Sequence, residues 1–148
     1  MTDHVLVPVD GSPLSLDALR HTLTDFPEAS VTVLHVVDLF EPDHGVGVDG
    51  DTTYEPLVGS EEWYARVEER SEGILEEART VAADHDRDIE TVSEIGTPAR
   101  IIVEYAAEEP IDHVVLGAHG RQDEDRTLLG SVAELVTRRA TVPVTLVR

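Results

Sequence analysis

Val114-Val115-Leu116-Gly117-Ala118-His119-Gly120, followed after nine residues by Gly130-Ser131, is the stretch that decides the fold. An apolar run leads into a glycine loop, and a helix-like run follows from Val132 to Arg139. The order reads as strand, loop and helix start. A helix start carries unpaired backbone N–H groups and the positive end of the helix dipole, so it suits an anion such as phosphate. Glycines let the backbone approach a phosphate closely and are expected to supply positive φ where the loop turns. Ser131 has two readings, a helix cap or a hydroxyl donor to a phosphate oxygen. The bland reading of the whole stretch is a tight turn with an ordinary N-cap. Four small residues at this spacing, at this point of an α/β pattern, favour nucleotide binding.

Outward from this stretch, strands and helices alternate. His4 to Asp10 reads as a buried strand, and Ser12-Pro13 as an N-cap with a first-turn proline. Leu14, Ala18, Leu19 and Leu23 follow at helical spacing. Val31 to Val37 is a second strand. Asp38 to Gly59 is rich in Pro, Gly and Asp and has no clear period; a loop of about 20 residues is unusual inside a compact domain. Ser60 opens a long helix to about His85, with Gly73 inside it at a cost of about 1 kcal/mol against Ala. Asp88 to Glu94 is a third, more exposed strand. Gly96-Thr97-Pro98 starts the helix Ala99 to Glu108. Asp112 to Gly117 is the fourth strand, Gly130 to Arg139 the last helix and Val142 to Val147 the fifth strand. This is the pattern of an open, Rossmann-like parallel sheet with helices on both faces, in a single domain over residues 1–148. Ligands bind such sheets beyond the strand C-terminal ends, at a switch point in strand order. Asp10, Val37 and Gly117 all end strands, so three strands are expected to converge on one crevice.

Composition narrows the class further. There is no cysteine, which excludes disulfides, zinc-thiolate sites and thiol catalysis. No apolar run approaches the roughly 20 residues that cross a bilayer. Met1-Thr2-Asp3-His4 lacks the basic flank of a signal peptide, so a cytoplasmic protein is expected. The chain has 31 Asp plus Glu against 11 basic residues, all arginine, for a formal net charge of −20. Nothing offers a basic footprint for nucleic acid or for an anionic membrane. The acids are spread through amphipathic segments, and with lysine absent they read as a halophilic adaptation. At about 1 M salt the Debye length is about 3 Å, and such self-repulsion is tolerable.

The chain resembles the ATP-binding branch of the universal stress proteins. The match is Gly117-x2-Gly120-x9-Gly130-Ser131, continuing Val132-Ala133-Glu134. Val7-Pro8-Val9-Asp10-Gly11-Ser12, Leu34-His35-Val36-Val37-Asp38 and Pro143-Val144 support it. The resemblance covers almost the whole chain, with Asp38 to Gly59 as the variable part. It implies strand order 3-2-1-4-5, a homodimer, and ATP between the first and fourth strands. Carried over by position, Val9 and Asp10 border adenine and ribose, with Pro8 beside them, and the Val37 backbone reads the adenine edge. Gly117, His119 and Gly120 wrap the ribose and phosphates; Gly130, Ser131 and Val132 hold the phosphate tail. Arg121 is the candidate for charge neutralisation. Asp123-Glu124-Asp125 departs from this scheme, because three acids lie close to where a polyphosphate would sit. Two unit charges 4 Å apart repel by about 1 kcal/mol even in water. Mg²⁺ bridging acid and phosphate through oxygen ligands would offset this.

The other polar residues have simpler readings. His4, His21, His35, His44, His85 and His113 form no metal-ligand spacing and read as scattered structural groups. Asp43, Asp49 and Asp51 lack the spacing of a calcium loop. Glu61, Glu62, Glu68, Glu69, Glu72, Glu76 and Glu77 read as a solvated helix face, and Arg138-Arg139 as complements to a helix dipole. Asp10 has a second reading as a helix-capping acid before Ser12, and His119 a second reading as a solvent-facing residue. Val142 to Val147, short and apolar, is expected at a sheet edge, where pairing about a twofold axis would give a closed dimer. No GKS/T loop, GxSxG elbow, HxGH or SGGxDS signature is present. The leading expectation is therefore a nucleotide-binding stress-response regulator. A slow Mg²⁺-dependent ATPase and an ATP-free dimeric interaction module are the alternatives.

Overall fold

The computed structural model describes residues 2–38, 59–120 and 129–148. Its elements alternate as β1 (His4–Pro8), α1 (Pro13–Asp25), β2 (Ser30–Val37), α2 (Glu61–Asp84), β3 (Glu90–Ile95), α3 (Pro98–Glu108), β4 (His113–Gly117), α4 (Ser131–Arg139) and β5 (Val144–Val147). All strand pairs are parallel, and the sheet runs β3-β2-β1-β4-β5. The expected α/β architecture and strand order are both present. Strand boundaries shift by one or two residues; the third strand, for one, runs Glu90–Ile95 rather than Asp88 to Glu94. The first strand ends at Pro8 because the chain turns at Gly11, where φ is 86°. The fifth begins at Val144, after a bend that takes in Val142.

The layers follow from alternation along each strand. Val5, Val7, Val33 and Val115 meet Leu19, Leu75 and Ala78 on the α1/α2 face. Leu6, Leu34, Val114 and Leu116 meet Ile102, Ala106, Ala133 and Val136 on the α3/α4 face. β1, β2 and β4 are covered on both faces, which is why they read as continuous apolar runs. β3, with Glu90, Ser93, Glu94 and Ile95 exposed, is an edge strand.

The helices start where local chemistry says they should. Ser12 Oγ accepts from the Ser15 N–H at 3.2 Å, and Ser60 Oγ from the Trp63 N–H at 3.1 Å. Along α2 the stripe Trp63, Val67, Ile74, Leu75, Ala78 and Val81 is buried, and the seven glutamates are exposed. Gly73 lies on that exposed face, and a Cβ there would meet nothing within 4 Å. Gly73→Ala is therefore expected to stabilise the protein by about 0.5–1 kcal/mol through the unfolded chain. In a thermal melt the gain would appear as a rise of about 2 °C.

At the far end of α2 a long-range contact has no local signal. Asp86 takes a left-handed φ of 54°, and the Arg87 N–H returns to the Ala82 carbonyl. This turn aims the Arg87 guanidinium at the end of α1. It donates to the carbonyls of Leu23, Phe26 and Ala29 at 2.8, 3.2 and 2.7 Å. The last turn of α1 has no basic residue of its own.

The expected structural roles of the histidines are present where they are described. His4 and His113 pair through Nε2 with Thr32 and Thr145 Oγ1, both at 2.7 Å. Burial, with His21 as a smaller influence, holds the His113 pKa below its ordinary value. His85 Nδ1 meets the Val81 carbonyl at 2.9 Å, and His21 meets Asp25 at 3.3 Å. His35, which is buried, joins a polar network with Ser71 and Ser93. His44 lies outside the described residues. Among the described residues no group of His, Cys, Asp or Glu could hold a metal ion.

Candidate functional site

Strand order reverses between β1 and β4. From β1 the sheet extends through β2 to β3 on one side and from β4 to β5 on the other. Asp10 follows β1 and Gly117 ends β4, so the fold brings these two predicted residues together at the switch point. That is where an open α/β sheet offers a ligand crevice.

Asp10 shapes the β1–α1 turn. Its Oδ1 accepts from the Ser12 N–H at 2.9 Å, and Ser12 in turn caps α1. The helix-capping reading of Asp10 is thus realised through the turn that precedes the cap. Pro8 is half-buried at the strand end. The Val9 side chain is 3% exposed within the α1/α2 core, so only its backbone faces the strand end.

At the end of β2 the backbone geometry corrects one expectation. The Val9 N–H donates to the Leu34 carbonyl at 2.8 Å, so Leu34 directs its peptide groups toward β1. The Gly96 N–H donates to the Val37 carbonyl at 2.9 Å, so Val37 directs its own toward β3. Backbone groups alternate sides along a strand. Val36 therefore shares the direction of Leu34, beyond the last β1 pairing at Pro8 and Leu34. The N–H and C=O that face the crevice belong to Val36, not to Val37 as the sequence reading has it.

The positive φ expected of the loop glycines is not found at Gly117, Gly120 or Gly130. Gly130 has φ −68° and ψ 160°, a conformation open to any residue. Among the described residues, positive φ occurs at Gly11, Gly59, Gly96 and Asp86. Gly117 is small because α1 comes close. A Cβ there would lie 3.2 Å from Leu14 Cγ and from the His119 carbonyl oxygen.

Gly130, not Ser131, is the N-cap of α4, and Ser131 is the first helical residue. The cap-by-Ser131 reading fails because the chain enters the helix one residue earlier. Gly130 has no side chain, so the cap position supplies no side-chain hydrogen bond to the first turn. Backbone bonds tie the helix start to the sheet. The Gly130 N–H donates to the Ala118 carbonyl at 2.7 Å, and the Ala118 N–H to the Val147 carbonyl at 2.8 Å. Ser131 is exposed, Val132 half-buried, and His119 and Gly120 half-buried at the end of the loop. Arg121 and Asp123-Glu124-Asp125 lie outside the described residues, as does the long loop from residue 39 to 58.

The sequence reading assigns no site role to three residues at or beside the end of β2: Val36, Gly96 and Trp63. Trp63 is 2% exposed and packs with Val37 and Val67 at the end of β2. Its being the single tryptophan is the one signal that could have drawn attention to it.

The fold has close counterparts. The model of the universal stress protein family matches residues 1–148. Universal stress protein MJ0531 of Methanocaldococcus jannaschii is 33% identical over 147 residues, spanning 97% of this chain and 81% of that protein. The solved structure of MJ0577 from the same organism superposes with a TM-score of 0.78 at 26% identity, covering 99% of this chain and 96% of that one. A universal stress protein solved in complex with cAMP gives a TM-score of 0.64 at 27% identity, covering 99% of this chain and 97% of that one. On a match along its whole length and on its strand order, this chain belongs to the universal stress protein family.

Proposed function

We propose that this protein is a cytoplasmic, homodimeric regulator of stress physiology that binds ATP, with Mg²⁺, at the β1/β4 switch point. The observation that carries this reading is the start of α4. A glycine N-cap in ordinary extended conformation sets the positive end of the α4 dipole beside β4 at the switch point, where no cap side chain stands between the helix start and an anion. In this reading the amides of Ser131 and Val132 hold phosphate, with Arg121 beside them. Gly117, His119 and Gly120 pass along the ribose and phosphates. Pro8, Val9 and Asp10 line the ribose side, and the Val36 peptide groups meet the adenine edge. The cAMP complex of a relative 27% identical supports the ligand class. The strongly acidic, lysine-free composition supports function at high salt.

The test is mass spectrometry of ligand released from freshly purified protein, followed by calorimetric titration with ATP, ADP and AMP in molar KCl and Mg²⁺. Release of an adenine nucleotide, and affinity rising with phosphate number, are expected. No nucleotide and no heat would overturn the reading.

The dimer reading rests on the edge formed by β5. The carbonyls of Pro143 and Val147 accept from Val114 of β4 and from Ala118 just after it, so by alternation Val144 and Leu146 turn their N–H and C=O groups outward. No charged residue lies within Val144–Val147, whereas the opposite edge has Glu90 and Glu94. Val144→Pro removes one outward N–H and leaves the β4 ladder intact. Sedimentation should show the dimer for the parent chain and a monomer for the variant.

A further inference from the structure

We infer that Trp63 is a positioning residue for adenine recognition, holding the end of β2 so that the Val36 peptide groups keep one orientation toward the crevice. This rests on the nucleotide reading given above. Trp63 stands in the first turn of α2, three residues after Ser60, whose hydroxyl accepts its N–H. Its indole lies edge-on to Tyr64, with ring centroids 4.9 Å apart. The cluster it forms with Val37 and Val67 stands, among the described residues, apart from the two main cores. Its one strand residue is Val37.

Val37 is thereby held at two points. Its side chain shares one apolar cluster with Trp63 and Val67, and its carbonyl accepts from the Gly96 N–H at 2.9 Å. Gly96 itself sits close to α3, where an added Cβ would lie 3.0 Å from Ile101 Cγ1. The Val36 carbonyl and the Val37 N–H share one rigid peptide plane. Fixing Val37 fixes the direction of the Val36 carbonyl.

That direction matters for which base is accepted. Adenine presents an N6 amino donor and an N1 acceptor along one edge. A carbonyl and an N–H from one residue match that pair. Hypoxanthine presents O6 as acceptor and N1–H as donor, so both contacts are lost and two polar groups stay unpaired. Discrimination of this kind needs a peptide plane that cannot rotate to suit the wrong base.

The experiment is calorimetric titration of the parent chain, Trp63→Phe and Trp63→Leu with ATP and with ITP. The parent should prefer ATP by about tenfold or more. The variants should lose about fivefold or more of that preference through weaker ATP binding, with ITP affinity unchanged. A merely structural role would weaken both nucleotides equally and leave the ratio as it was, which overturns the inference. Should Trp63→Leu not fold, Trp63→Phe and Val67→Ala report the same ratio, and an unchanged ratio in these has the same meaning. A parent chain that binds ATP and ITP equally overturns recognition by Val36 and this role together. A parent chain that binds neither overturns the nucleotide reading itself.

Discussion

Gly130→Asp is expected to lower nucleotide affinity by about 100-fold or more while leaving the folded state at least as stable as before. Gly130 already has the extended backbone of a helix cap, with φ −68° and ψ 160°, so an aspartate needs no change of conformation there. Its carboxylate would accept from the first-turn N–H groups and lie at the positive end of the α4 dipole, both favourable for the helix. The same two effects exclude a phosphate. The amides are claimed, and a fixed negative charge faces the incoming one, at about 1 kcal/mol per charge pair in water and about 4 kcal/mol at the dielectric of a protein surface. Gly130→Asn separates the effects, since it caps without charge and should lose less affinity. Calorimetry reads the binding and a thermal melt reads the stability. Undiminished binding in the stable aspartate variant would move the phosphate away from α4.

Arg87→Ala should be among the most destabilising single changes outside the apolar core. Three carbonyls of α1 and the turn after it, from Leu23, Phe26 and Ala29, would lose their charged donor at once. Hydrogen bonds to charged groups contribute about 1.5–3 kcal/mol each, and the half-buried position lets water replace part of this. A net loss of about 2–4 kcal/mol is expected, read as a lower urea midpoint at unchanged slope. Arg87→Lys should recover only part of it. One ammonium cannot reach three carbonyls with the fixed fork of a guanidinium. A change below about 0.5 kcal/mol would mean that the carbonyls are as well served by water.

Element order was legible in the sequence because its signals are short-range. Ser12-Pro13 before an apolar stripe and Ser60 before Trp63 mark helix starts with donors and acceptors only a few residues apart. Val5 to Val7 and Val114 to Leu116 are uniformly apolar because both sheet faces are covered. The neighbourhood was legible: Asp10 and Gly117 both lie at the C-terminal ends of the two strands that flank the switch point. Its details were not. Gly117 reads as a phosphate glycine, and its missing Cβ also makes room for Leu14, which no sequence pattern shows. Ser131 looks like a cap, yet the helix begins with Gly130 in that place.

By itself, then, the sequence determined the kinds of element, their order and the end of the sheet where a ligand would bind. Periodicity, caps and turns act over a few residues and are written where they act. Only the tertiary structure decided that Val36 rather than Val37 faces the crevice, and that Arg87 closes α1 from 58 to 64 residues away. A strand's pattern of apolar residues shows which face each side chain takes. It does not show which neighbour each peptide group addresses, because that depends on the strand lying alongside and on where its ladder stops.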